Sequence, residues 1–388
     1  MTATATYGPA GTPSSGRARP LSHFFESWRS TATRDREIVD AIVAPQHRGP
    51  SPDLLESLRY WPGIHYWVEG DGEGRLMLVR PLGRPVRERW WLHGLLFAAT
   101  FLTVWMAGSF LAGGDPHLPM LSLAHPGRAV RGVLDWLAGM RSGLEFAMGL
   151  MAILLAHESG HYLTAKRYGI NASPPYFVPA PPTWNFVGTF GAFIRLRSPV
   201  VDRQQLLDVG AAGPWAGFVV ALIVLAVGML ASHSVPILGA ATPQMVMIGR
   251  TPLYLGDSLV MAALRHLLTG GGVVLLHPLA LAGWLGLLVT MLNLLPLGQL
   301  DGGHVLFALI GRRQAWIGVV AWLALLVLGY WFWGWWVWAF FTLILGRGSL
   351  AHPTVLDRRR PVAPSRRPFG WATVILFIVT FTAVPFYI

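Results

Sequence analysis

Uncharged stretches of about 20 residues or more recur along this chain, and that is the length a helix needs to cross roughly 30 Å of hydrocarbon. Residues 90–114, 278–297 and 369–388 carry no Asp, Glu, Lys or Arg, and 206–231 carries only Asp208. Residues 315–346 form a run of 32 uncharged positions, too long for one simple span and short for two, which predicts a tight hairpin turning near Gly334. A further span is expected over about 144–165. The pattern specifies an α-helical polytopic membrane protein with about six or seven transmembrane helices. Charged residues are 13% of the 388 and apolar residues 53%, proportions that exclude a disordered tail protein and an ordinary soluble enzyme.

Charge is unevenly spread, with 12 Arg and 10 acids in residues 1–89 against 18 Lys and Arg and 9 acids in 90–388. Residues 1–20, rich in Gly, Pro, Ser, Thr and Ala, read as a flexible tail. Residues 21–89 read as a small soluble α/β domain with a helix over 51–60 and a hairpin in which 64–68 and 75–79 flank the Gly-rich turn 70–74. Residues 90–388 are the membrane domain, with an interfacial helix expected where Val130, Val133, Leu134 and Leu137 share one face. Placing the N-terminus in the cytoplasm puts 25 Lys and Arg in inner loops and 5 in outer ones, so that orientation is expected. The net charge of +11 comes from Arg scattered beside spans, a pattern that suits the lipid bilayer surface and not nucleic acid. Cysteine is absent, so thiolate nucleophiles, disulfides and Cys-ligated zinc are all excluded.

An acid or imidazole in a span is costly, and therefore marks chemistry. After the apolar run 146–156 comes His157-Glu158-Ser159-Gly160-His161. On a helix, positions i and i+4 share a face, so both imidazoles can bind one metal ion with Glu158 bordering it. In that pattern the metal acidifies a water, and the Glu takes its proton as the water attacks a peptide carbonyl. The plainer reading, two His and a Glu capping a helix, leaves three ionisable groups at membrane depth with nothing to bind. A catalytic zinc site needs a third protein ligand. Asp301, in Asn293-Leu294-Leu295-Pro296-Leu297-Gly298-Gln299-Leu300-Asp301-Gly302-Gly303-His304, ends a span on the same side and is the natural choice. Pro296 and the glycines predict a helix break there. Asp301 as a simple helix cap, and His304 as a rival ligand or a supporting partner, are the alternatives.

With these two motifs the chain resembles the site-2 protease family of intramembrane zinc metalloproteases, over about residues 140–310. The resemblance implies His157, His161 and Asp301 as ligands of one Zn2+ per chain, Glu158 as the catalytic base, and Asn293 as a polar group near substrate or oxyanion. Residues 188–194 resemble the family's membrane-embedded hairpin, which could pair with an extended substrate by strand addition, although a plain surface hairpin would look the same. The small residues of 210–217 suit close helix approach. Residues 166–205 and 233–277 are each too short for the PDZ domain many members carry, so the chain resembles the PDZ-free, plastid-type subgroup. The expected activity is cleavage of peptide bonds within or beside transmembrane helices of a membrane-anchored protein substrate, in regulated intramembrane proteolysis, by a multi-pass protein whose active site faces the cytoplasmic side. The alternative is a non-catalytic pseudoprotease scaffold that binds transmembrane helices. The sequence does not define an oligomeric state. Three acids and imidazoles are expected outside the site: Glu145 paired with Arg141, Asp208 at a helix start, and His277 on the outer face.

Overall fold

The computed structural model describes residues 20–32, 36–48, 51–67, 74–82, 88–111, 141–181, 185, 187–197, 200–235, 242–248, 251–270, 272–352, 355 and 361–387. The tail over 1–19, the turn at 70–73 and the interfacial helix around Val130 lie outside the described residues.

Ahead of the first long helix, β1 (Phe25–Ala32), β2 (Arg36–Val43), β3 (Ile64–Trp67) and β4 (Arg75–Pro81) form an antiparallel sheet in the order β1-β2-β4-β3. Alternation along β2 and β4 turns Val39, Ala41, Val43, Leu76 and Leu78 to one face, where they meet Leu54 and Leu58 of α1 (Pro52–Arg59). Burying each leucine contributes about 1.5–3 kcal/mol. The Ser51 hydroxyl caps α1 by accepting from Leu54 N–H at 3.3 Å, and Pro52 follows in the first turn, where its missing N–H costs nothing. The expected helix and the β3–β4 hairpin are present, whereas β1 and β2 are not foreshadowed. β1 is an edge strand with mostly exposed residues, so it carries little apolar alternation.

The long helices are α2 (Trp90–Leu111), α3 (Arg141–Arg167) and α4 (Arg203–Leu230). After α5 (Leu259–Thr269) come α6 (Pro278–Asn293), α7 (Asp301–Ile310), α8 (Gln314–Leu328), α9 (Gly334–Leu345) and α10 (Arg367–Thr380). Among the described residues, α2, α4 and the continuous segment Asp301–Leu328 are long and apolar enough to cross a membrane. α3, α4 and α6 pack together through Leu150, Ile153, Leu225, Leu281 and Leu285. The expected hairpin over 315–346 is α8 and α9, joined by a turn ending at Trp333. The final apolar stretch differs from expectation. Its helix stops at Thr380, where Phe381 turns extended, and Phe386–Tyr387 become a strand.

Two small sheets flank the helices. β5 (Tyr176–Pro179) and β6 (Thr189–Phe193) are an antiparallel pair held against α2. The His93 Nδ1–H donates to Pro175 O at 3.0 Å, the Thr103 hydroxyl donates to Gly188 O at 2.7 Å, and Phe97 meets Phe177 edge to face. Beyond β6, Arg197 forms a two-point ion pair with Glu88, one contact being Nη2–Oε2 at 3.1 Å. The guanidinium's hydrogen bonds hold the Glu88 carboxyl below the usual carboxylate range. At the other end of the helices β7 (His233–Val235), β8 (Gln244–Ile248), β9 (Thr251–Leu255), β10 (Val273–Leu275) and β11 (Phe386–Tyr387) make a five-stranded sheet ordered β11-β9-β8-β10-β7. The sequence gives no warning of it, because strands of two to five residues cannot establish a period.

Candidate metal centre

α3 runs unbroken through both histidines, so His157 and His161 stand one turn apart on the face turned to α4 and α6. Their Nε2 atoms are 3.1 Å apart. Asp301, the first residue of α7, comes to them across the molecule, with Oδ2 at 3.3 Å from His157 Nε2 and 3.2 Å from His161 Nε2. His157 and His161 are buried and Asp301 is nearly so. Among the described residues this is the one group of three His, Asp or Glu side chains whose atoms could share an ion.

The donor set can be tested against zinc. Bonds of about 2.0–2.1 Å around a tetrahedral ion place its donors about 3.3 Å apart, and the three separations are 3.1, 3.2 and 3.3 Å. His161 Nδ1–H donates to Val209 O of α4 at 2.7 Å, which commits that proton and turns the Nε2 lone pair toward Asp301. Lone pairs on a nitrogen and a carboxylate oxygen repel unless a proton or a metal lies between them. The residues fit a zinc ion.

α4 leaves room for the rings. A Cβ at Gly213 would sit 2.1 Å from His161 Nε2, and one at Gly217 would sit 3.1 Å from His157 Nδ1. Pro214 lies inside α4 and has no N–H for the carbonyl of Gly210, while one position earlier Val209 O accepts from His161. The close helix approach expected from residues 210–217 is therefore present, and it serves the imidazoles directly. The expected break is present too: α6 ends at Asn293, 294–300 is non-helical, and α7 begins at Asp301. A Cβ at Gly302 would fall 1.9 Å from Leu294 O, so only glycine lets α7 turn back over this segment. Asp301 does not act as the cap of α7, since the N-cap is Leu300 without a side-chain bond.

Around this group, Asn293 Nδ2 lies 3.3 Å from His157 Nε2. Glu158 is buried, within electrostatic reach of His157, His161 and Asp301, on the helix against which β6 packs. His304 turns away from the three and places Nδ1 2.6 Å from His352 Nε2. His277 is at the opposite end of α6 from Asn293, capping that helix, and Glu145 pairs with it at 3.1 Å; the side chain of Arg141 lies outside the described residues. Asp208 does not begin α4, which is capped by Asp202 through Gln205 N–H at 2.8 Å. It sits buried inside the helix and accepts from the Tyr168 hydroxyl at 2.5 Å. Burial, with this carboxylate adding to it, pushes the Tyr168 phenol up. The Val209 carbonyl is the group at this site that sequence reasoning missed, since a backbone acceptor has no sequence signature.

Residues 145–328 match Peptidase family M50. The chain is 35% identical over 218 residues to an Arabidopsis thaliana protein named "Probable zinc metalloprotease EGY2, chloroplastic", covering 56% of this chain and 38% of that one. It is 35% identical over 173 residues to "Probable zinc metalloprotease EGY1, chloroplastic" of the same plant, covering 44% and 30%. With "Probable zinc metallopeptidase EGY3, chloroplastic", again from Arabidopsis thaliana, it shares 28% identity over 258 residues, covering 61% and 42%. The chain thus spans less than half the length of each of these relatives. No solved structure gives a significant match. Residues 145–328 are therefore a peptidase family M50 domain, that of the site-2 proteases, and its relatives are of the plastid type.

Proposed function

We propose that the chain is an intramembrane zinc metalloendopeptidase acting on peptide bonds within or beside transmembrane helices of a membrane-anchored protein, in regulated intramembrane proteolysis. The observation that carries this reading is the convergence of His157, His161 and Asp301, from segments far apart in sequence, at the spacing of zinc donors. The family membership of residues 145–328 and the zinc metalloprotease names of the relatives support it.

In this reading the three residues hold one Zn2+, and His161 is kept in register by Val209 O. Zinc supplies Lewis-acid polarisation of a carbonyl and acidifies water. Glu158 takes the proton of the attacking water and passes it to the leaving amine. Asn293, whose Nδ2 faces His157, donates a hydrogen bond to the carbonyl oxygen as it gains charge. A substrate helix must unwind first, because its carbonyls are engaged in i to i−4 bonds. The β5–β6 pair, packed through β6 against the helix that carries Glu158, offers a strand edge to the unwound segment.

The layout proposed with it is a tail over 1–20, a soluble domain over 21–89 and a membrane domain over 90–388. Seven crossings, by α2, α3, α4, α6, α8, α9 and α10, lie in the expected range of six or seven. An even number of them between β10 and β11 accounts for both strands joining one sheet. The N-terminus and the metal centre then face the cytoplasm. The deciding test is zinc content of the detergent-purified protein beside Asp301→Ala. One zinc per chain, lost in the variant, is expected; a folded wild type without zinc refutes the reading and favours a helix-binding scaffold.

A further inference from the structure

The non-helical segment 294–300 carries backbone polar groups into a setting where water is scarce, so each needs a partner within the protein. Its own turn bonds, such as Leu300 N–H to Leu297 O at 3.0 Å, satisfy only part of them. The rest are met from further along the chain. Gln314, the first residue of α8 and 1% exposed, donates from Nε2 to Pro296 O at 3.1 Å and to Leu350 O at 3.3 Å. Leu350 O also accepts from Gly298 N–H at 3.0 Å, and Gly298 adopts φ of 43°, a region that favours glycine. Gln314 Oε1 in turn accepts from His352 N–H at 3.0 Å. The His352 ring in turn stacks on Phe307 of α7 at 4.6 Å and meets His304 Nδ1 at 2.6 Å, so it holds α7 on the far side of Asp301 in sequence.

The turn that presents Asp301 is therefore gripped before the aspartate, at Pro296 and Gly298, and one turn after it, at His304. Both grips lead to one buried amide and one short loop. That loop, residues 349–352, lies outside the segment that matches the peptidase family. We infer that Gln314 and the loop 349–352 are a positioning clamp that holds Asp301 at the two histidines and so sets how tightly zinc is bound. This rests on the reading of Asp301 as a ligand. The amide is needed because it donates on one side and accepts on the other. A carboxylate of the same shape keeps the bond from His352 N–H but turns an acceptor toward two carbonyls.

The test uses the full chain in detergent. Zinc affinity is measured by chelator competition for wild type, Gln314→Glu and Asp301→Ala. Hydrogen exchange of segments 296–300 and 349–352 is followed in zinc-loaded and zinc-stripped wild type. Supporting groups behind a metal ligand typically change affinity about 10- to 100-fold, and that weakening is expected for Gln314→Glu at an unchanged stoichiometry of saturation. Because coupling is reciprocal, zinc is expected to slow exchange in both segments of the wild type. That measurement decides alone should Gln314→Glu fail to fold. Unchanged affinity in a folded Gln314→Glu, or zinc-independent exchange in 349–352, overturns the clamp. A wild type that binds no zinc overturns the ligand reading instead.

Discussion

Gly213→Ala isolates what the α4 backbone does for the metal centre. The new methyl would lie 2.1, 2.3 and 2.5 Å from His161 Nε2, Cδ2 and Cε1, where ordinary contact begins near 3.4 Å. The ring would have to withdraw by about 1.3 Å, while its other nitrogen is tied to Val209 O at 2.7 Å. A donor bonded to zinc at about 2.0–2.1 Å cannot move that far and remain a ligand. Overpacking of this kind costs about 1–3 kcal/mol of stability, less than a domain's usual margin of about 5–15 kcal/mol. The expected result is a folded protein whose zinc affinity falls by more than the roughly 100-fold that marks the loss of a merely supporting group. Gly217→Ala is the matched control, since its methyl meets His157 at 3.1 Å and needs only a few tenths of an ångström. It is expected to retain zinc. Chelator competition, with elemental analysis and a thermal melt on each variant, reads the difference. Wild-type zinc affinity in folded Gly213→Ala would refute the argument that the glycine makes room for the ligand.

Glu158→Gln is expected to keep one zinc and lose proteolysis of a membrane-anchored substrate, checked by elemental analysis and cleavage assay together; a cleaving variant would remove Glu158 from its role. Helix-weakening Gly or Pro near the scissile bond is expected to speed cleavage, and equal rates for helix-stabilised and helix-weakened forms of one substrate would count against unwinding before attack. The Glu88–Arg197 pair should stabilise wild type over Glu88→Gln with a specific pH dependence. Because the folded Glu88 pKa lies below its ordinary 4.5, the contribution is full above that value and fades as pH falls through the lowered folded value. Melting temperatures of the two proteins should therefore differ at neutral pH and converge in acid; a gap that survives at pH about 2, below the carboxylate range, would show that the difference is not the ion pair.

Much of the site was legible because charge in an apolar run is conspicuous. His157, Glu158 and His161 announce themselves by spacing, and Asp301 by standing alone at the end of a span beside helix-breaking Pro and Gly. What stayed hidden were groups without a sequence signature. Val209 acts through its carbonyl, and any residue supplies one. Gln314 looks like an ordinary polar residue after Arg312 and Arg313, and only the fold brings Pro296 and Leu350 within its reach. Helices were easier to read than strands for the same reason. An apolar stretch of span length has few alternatives, whereas β7 to β11 are too short to repeat and depend on neighbours remote in sequence. Asp208 was misjudged because an acid near a helix start is usually a cap, and here Asp202 had already taken that place.

The placing of β11 beside β9 has a consequence for how the protein is made. β9 is complete when the middle of the chain has emerged, yet its neighbour on one side is supplied by residues that follow the last helix. That strand reaches the sheet only once the segment through α10 has been made. Until then β9 offers an open row of amides and carbonyls, the kind of edge that recruits other chains. Closing that edge therefore depends on residues made after α10. A chain stalled before Phe386 leaves that edge open, and one that has reached Tyr387 closes it.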